Sequence, residues 1–205
     1  MHLRRLFAIT SILFLAVLAV SPVKNALRPY HSFQRKFARL GASRAKSQQA
    51  AQAYLHRPAG IQQVWLPGFE NRVDRCITCH LGVQDENMAG APGPFRLHSR
   101  TPHTPGSFDR FGCTSCHGGQ GLATLEAEAH GIAEGSGSPM LPLAHIEAAC
   151  GRCHTSEKVI GADTLSRGRA IIAKSGCYVC HAVRGQEAYR SEAPPLEPVA
   201  LKTGG

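Results

Sequence analysis

A chain of 205 residues with 23 Lys and Arg against 14 Asp and Glu, a net charge of +9 and a pI near 9.4 has the length of one or two ordinary domains. Only 6% of it is aromatic, while Gly (21) and Pro (13) are plentiful; this argues against one large side-chain core and for a mainly α fold with extensive irregular loops and little or no β structure. The basic balance is an N-terminal property and no argument for a nucleic-acid partner of the whole chain: residues 1–60 hold ten Lys and Arg and no acid, whereas 61–205 hold 13 basic and 14 acidic residues.

The chain opens MHLRRLFAITSILFLAVLAVSPV, with Arg4 and Arg5 ahead of an apolar run, the layout of an export signal. Val17 and Ala19 satisfy the small-residue rule for cleavage, yet the run from 6 to 23 is 18 residues long, near the lower limit for a spanning helix. Residues 1–23 are read as a signal peptide or an N-terminal membrane anchor, the uncleaved anchor being preferred. A basic helical arm occupies 24–59. Within it, 31–55 predicts a helix with Phe33, Phe37 and Leu40 on one face and Arg35, Lys36, Arg39, Arg44 and Lys46 largely elsewhere, bracketed by Pro29 and Pro58. Such a helix suits anionic lipid, a membrane partner or a solvated stalk. Lys24 and Arg28 on an exported side run against the positive-inside bias, which a partner surface would offset.

Four copies of one pentapeptide come next: CITCH at 76–80, CTSCH at 113–117, CGRCH at 150–154 and CYVCH at 177–181, which together use every cysteine in the chain. A CxxC pair alone is half a zinc site, a redox disulfide or a haem attachment point, and the residue after the second cysteine separates these. In c-type attachment the two thiols add across the porphyrin vinyl groups, and the imidazole just beyond becomes the proximal ligand of the iron. A zinc ribbon pairs its knuckles, and a disulfide framework has no reason to place a histidine after each second cysteine four times. The expected cofactors are four covalently attached haem c groups. Their thioethers come from Cys76 and Cys79, Cys113 and Cys116, Cys150 and Cys153, and Cys177 and Cys180, with His80, His117, His154 and His181 on the irons. A mainly α chain wrapped around four haems makes good its scarcity of aromatics, and eight thioethers restrict the unfolded ensemble as crosslinks do. Haem of this type is attached outside the cytoplasmic membrane, so the haem region is expected on the periplasmic side. Two propionates per haem would add about eight negative charges and leave that region acidic.

Residues 60–160 form the expected three-haem region and 161–205 a fourth-haem region. Cys76 to Cys113 and Cys113 to Cys150 are both 37 residues, but the intervening sequences do not match, so no repeat is inferred. The stretch 80–108 reads as Pro- and Gly-rich loop, and 122–130, 145–154 and 165–176 as short helices. The sixth position of each iron decides between carrying electrons and doing chemistry. Beyond the proximal set the chain has His2, His31, His56, His98, His103, His130 and His145, with Met1, Met88 and Met140 as its only methionines, so bis-histidine ligation is expected to dominate. His98, His103 and His130 are the first choices because they lie between attachment sites; His145 is next, and His31 and His56 read as arm residues.

The runs RVDRCITCHLGV, PFRLHSRTPH, RFGCTSCHGGQGLAT and EAACGRCH resemble a group of membrane-associated bacterial multihaem cytochromes c over about residues 60–181. That resemblance implies distal imidazoles from His98, His103 and His130, and electron transfer between a quinol-oxidising membrane complex and periplasmic acceptors. The segment from 165 to the end resembles the first half of a class I cytochrome c domain, with Pro195 and Leu196 in the place of the Pro-Leu segment beside the proximal histidine. Such domains go on to a methionine, absent after residue 140 here, so the His181 haem is expected to borrow a ligand, to be open, or to be completed by further chain. Size, anchor and haem count also resemble the membrane-anchored tetrahaem quinol dehydrogenases, although the spacing of the attachment sites differs. The expected partners are membrane or periplasmic redox proteins, with the N-terminal segment in the membrane and neither nucleic acid nor a small-molecule substrate. No HExxH, phosphate loop, spare cysteine or triad is present, which favours an electron carrier over an enzyme. The alternative is a multihaem oxidoreductase acting on a small nitrogen or sulfur species at an open haem.

Overall fold

The computed structural model describes residues 2–70, 72–98, 107–135, 138–155 and 158–183. Helices dominate these residues, and their only sheet is a two-stranded hairpin, as a mainly α reading requires. The chain divides into two compact units, one built from 1–112 and 120–137, the other from 113–119 and 138–205.

In the first unit, α1 (His2–Ala26) is a 25-residue helix with no buried side chain. At 1.5 Å per residue it is about 37 Å long, and an 18-residue window within it has a mean hydropathy of 2.4, so it is long and apolar enough to cross a bilayer. The Thr10 hydroxyl donates back to the carbonyls of Leu6 (3.1 Å) and Phe7 (3.0 Å), which satisfies its polar group within the helix. Three residues separate α1 from α2 (Tyr30–Arg44), and the junction is latched by the Tyr30 hydroxyl, which donates to Asn25 Oδ1 at 3.1 Å.

The arm predicted as one helix is two. Ser47 interrupts it and caps α3 (Gln48–Leu55), its hydroxyl accepting the Ala50 N–H at 3.2 Å. Nor is the arm separate from the chain beyond residue 60, so the boundary expected at 59/60 falls inside a compact unit. Tyr30, Gln34, Phe37 and Gly41 are spaced four, three and four residues apart and form one buried stripe, while Arg35, Lys36 and Arg39 stay largely outside it. Phe37, 1% exposed, packs with Leu81, Met88, Ala91 and Phe95, and Phe33, Leu40, Tyr54 and Leu97 close the cluster. Gly41 permits the close approach of the two helices, since a Cβ there would meet the Tyr54 ring at 2.2 Å. The loop after His80 is organised by the arm: Arg44 donates to the carbonyls of Asn87 (3.0 Å) and Ala89 (2.9 Å), and the Tyr54 hydroxyl donates to Asp85 at 2.5 Å.

The hairpin pairs β1 (Val64–Leu66) antiparallel with β2 (Arg72–Asp74), Trp65 opposite Val73. It delivers the chain to the first CxxCH motif and buries Leu66 and Asp74. Helix α4 (Ser107–Phe111) ends at Gly112, which has φ +63 and leaves no room for a side chain: a Cβ would lie 2.8 Å from Leu66 and 2.9 Å from Asp74.

In the second unit, α5 (Thr114–His117) leads to an isolated bridge between Gly118 and Met140, and the Leu141 N–H donates to the His117 carbonyl at 2.7 Å. The short helix expected at 145–154 is a 3-10 helix over Leu143–Arg152. Against it packs α7 (Asp163–Ser175), whose first N–H groups are capped by Glu147: its carboxylate accepts from Thr164 at 2.6 Å and Leu165 at 3.3 Å. Gly176, left-handed at φ +67, closes α7 and opens the short α8 (Cys177–Cys180). The helix expected at 122–130 is only α6 (Glu126–Ala129), in the first unit.

Candidate functional site

All four CxxCH motifs close a single helical turn, 3-10 at the first and third and α at the second and fourth. The backbone N–H groups of His80, His117, His154 and His181 donate to the carbonyls of Cys76, Cys113, Cys150 and Cys177, at 2.9 Å in every case. The N–H groups of Cys79, Cys116 and Cys153 reach the carbonyls of Cys76, Cys113 and Cys150 at 3.1, 3.2 and 3.2 Å. Positions i, i+3 and i+4 of a helical turn share one face, so each motif presents two thiols and an imidazole together. None of the eight cysteines is disulfide-bonded.

Each turn is held by its surroundings. At the first, the buried Asp74 carboxylate accepts the Cys76 N–H at 3.0 Å. The buried Thr78 hydroxyl donates to the Gln62 carbonyl at 2.7 Å and accepts the Gln62 N–H at 3.0 Å. Gln34 on α2 donates to the carbonyls of Gly60 (2.6 Å) and Thr78 (3.3 Å), so the arm grips this turn directly. In the second unit the motifs at 113–117 and 150–154 are neighbours, the Arg152 guanidinium donating to the carbonyls of Ser115 (3.3 Å) and Thr114 (3.5 Å). Arg169 of α7 donates to the His154 carbonyl.

Burial pushes the Cys79 thiol pKa up, and Glu126 adds to the effect. The Cys116 thiol is likewise raised by burial first and then by Cys150, Cys113 and Cys153, with Arg152 opposing. Both groups are protonated thiols at neutral pH, of low reactivity until a base or an electrophile meets them. Two CxxC pairs side by side are also how a zinc ribbon is built, but a shared tetrahedral ion needs its sulfurs gathered around one point. Among the described residues no three of the sulfurs of Cys113, Cys116, Cys150 and Cys153 lie within 4.8 Å of one another. Within each motif, two thiols beside one imidazole are a donor set of the kind that a covalently held haem takes up.

The histidines singled out as distal ligands have different surroundings. Arg75 brings the segment after the second motif to the first: its N–H donates to the Gly121 carbonyl at 2.8 Å and its guanidinium to the Leu122 carbonyl at 2.9 Å. From there α6 ends in His130, whose ring centroid lies 6.1 Å from that of His80 with the rings inclined at 59°. Two imidazoles bound on opposite sides of one metal at about 2.0 Å would have their centroids roughly 6 Å apart. The spacing accommodates an iron between these rings. His98 is half-buried with its ring 5.4 Å from Phe108. His145 is exposed on the 3-10 segment. His103, Pro195 and Leu196 lie outside the described residues. Met88 is wholly buried in the aromatic cluster under α2, where it serves packing.

The two arm histidines diverge. His56 is exposed, its Nδ1 2.9 Å from the Gln52 carbonyl. His31 keeps its Nε2 buried, and that nitrogen has no hydrogen-bond partner among the described residues. The signal was in the sequence: His31 stands one residue after Tyr30 and three before Gln34, on the edge of the stripe that the arm buries. No family model, curated protein or solved structure matches this chain.

Proposed function

We infer that the protein is an exported, membrane-attached tetrahaem c-type cytochrome that carries electrons between a quinol-linked membrane complex and a periplasmic acceptor. One observation carries this reading: the same Cys-x-x-Cys-His turn recurs four times, with the histidine N–H 2.9 Å from the first cysteine carbonyl each time. The four share that closing bond although the turns differ in type, 3-10 at the first and third motifs and α at the second and fourth. When bound, haem supplies reversible one-electron chemistry at iron.

The chain's own residues do the rest. Each cysteine pair would hold one haem through its two thiols, and His80, His117, His154 and His181 would bind the irons. The 6.1 Å spacing of the His80 and His130 rings supports His130 as the distal partner at the first site. His98 and His103, with His145 next, are the further distal donors. With these imidazoles bound, small molecules would be kept off the metal, and electron transfer would be the reaction that the residues support. The N-terminal α1, apolar and unburied, supports attachment to the membrane from which a quinol-linked donor would act. The stretch 161–205, entered through α7 and Gly176, is the class I cytochrome c-like part.

The test is the full chain expressed with its export segment in a bacterium that matures c-type cytochromes. The intact mass is expected to equal apoprotein plus four haems, with no thiol open to alkylation and with low-spin signals in electron paramagnetic resonance. An apoprotein mass, bound zinc or reactive thiols would overturn the reading. Four haems with a high-spin ferric signal that shifts on adding a nitrogen or sulfur oxyanion would move it from carrier to oxidoreductase.

A further inference from the structure

We propose that His31, in the first turn of α2, is an axial ligand to one of the haem irons. The proposal rests on the tetrahaem reading and adds to it a residue that motif spacing does not mark.

A neutral imidazole has one N–H and one lone pair, and a buried ring nitrogen facing neither a donor nor an acceptor is rare in folded proteins because it has given up water for nothing. His31 Nε2 is such a nitrogen: it is buried and has no partner among the described residues. The ring is held rather than loose, since it lies 4.3 Å from the ring of Tyr30, itself 2% exposed and tied through its hydroxyl to Asn25. One turn further along α2, Gln34 is bonded to Gly60 and to Thr78 inside the first attachment turn. The helix face that carries His31 is thus the face that meets the cofactor-bearing segment. His56 marks the contrast, being a histidine of the same arm that is exposed and hydrogen-bonded to its own helix. A half-buried, oriented imidazole whose Nε2 is covered and left over is the chemistry that a six-coordinate iron takes up, because the metal accepts the lone pair that no protein donor meets. The four irons implied by the four motifs already have their proximal histidines, so His31 supplies a distal one.

The experiment uses the full-length holoprotein. Its wild-type mass is measured first, and an absence of haem there ends both this proposal and the reading beneath it. With four haems in place, His31→Ala is expected to keep all four attached while about one haem in four turns high-spin and, when reduced, newly binds carbon monoxide; added imidazole restores the low-spin spectrum. His31→Met serves if the alanine variant does not accumulate: one haem stays low-spin and its potential rises, as methionine for histidine requires. His56→Ala leaves spectra and potentials as in the wild type. A four-haem His31→Ala protein with an unchanged spectrum and no added carbon monoxide binding, or a His31→Met protein with all four potentials unmoved, overturns the assignment of His31 and leaves the tetrahaem reading standing.

Discussion

A histidine's chemistry here is decided by what surrounds its ring, and the chain offers several to compare. His130 faces His80 at 6.1 Å, so His130→Ala is expected to leave four haems attached and to convert about one in four to high spin, with its potential altered by loss of a strong-field imidazole. Redox-titrated visible spectra and electron paramagnetic resonance check this; an unchanged low-spin spectrum would remove His130 from the ligand set. His98→Ala is expected to act on a second haem, and the double variant with His130 should then show about twice the high-spin fraction of either single one. A double variant no different from one single variant would mean that both residues serve the same iron. Motif spacing makes the proximal residues legible, because two thiols and an imidazole at i, i+3 and i+4 must share a face. Distal residues carry no such spacing: His130 comes to His80 from fifty residues away, on a segment that Arg75 bonds at Gly121 and Leu122. His31 reads from the sequence as an arm residue because it precedes every attachment site and stands in a segment marked chiefly by its basic charge.

Among the elements, the arm differs most from its sequence. Phe33, Phe37 and Leu40 are legible as one face of a helix, but periodicity tells a face from its opposite and not what covers it. The cover is the loop after His80, where Leu81, Met88, Ala91 and Phe95 meet Phe37; that stretch has no period to read and its Pro and Gly content reads as loop. Phe37→Ala is therefore expected to destabilise the first unit by about 3–5 kcal/mol, measured by denaturant unfolding of the holoprotein, whereas substitution of the exposed Arg35 by Ala should change stability by less than about 0.5 kcal/mol. Gly41→Ala drives a methyl into the Tyr54 ring and should cost about 1–3 kcal/mol by overpacking. A Phe37 variant as stable as the wild type would return the arm to a stalk. The short helices in the second unit are legible as segments but not as helix types. Leu143–Arg152 is wound as a 3-10 helix, while α7 is legible nearly to its ends because Gly176 signals its stop.

At the scale of the whole molecule, charge and the apolar N-terminal helix dominate. The sequence pI is near 9.4, but propionates on four haems would lower it, so isoelectric focusing of the holoprotein should give a value below that of the polypeptide; a holoprotein still focusing near 9.4 would count against four exposed propionate pairs. Replacing 1–26 by a cleaved export signal should move the protein from the membrane fraction to the soluble periplasm with its haems intact, and retention in membranes would point to the arm as a second anchor. Between α1 and α2 lie three residues, which extended would span at most about 11 Å, and the Tyr30 hydroxyl bound to Asn25 takes up even that slack. With α1 in a bilayer, the first attachment turn is on a rigid mount instead of a leash. So mounted, the turn would stay within reach of a donor moving in the same bilayer, a search in two dimensions, while an acceptor from the aqueous side would still arrive by diffusion in three.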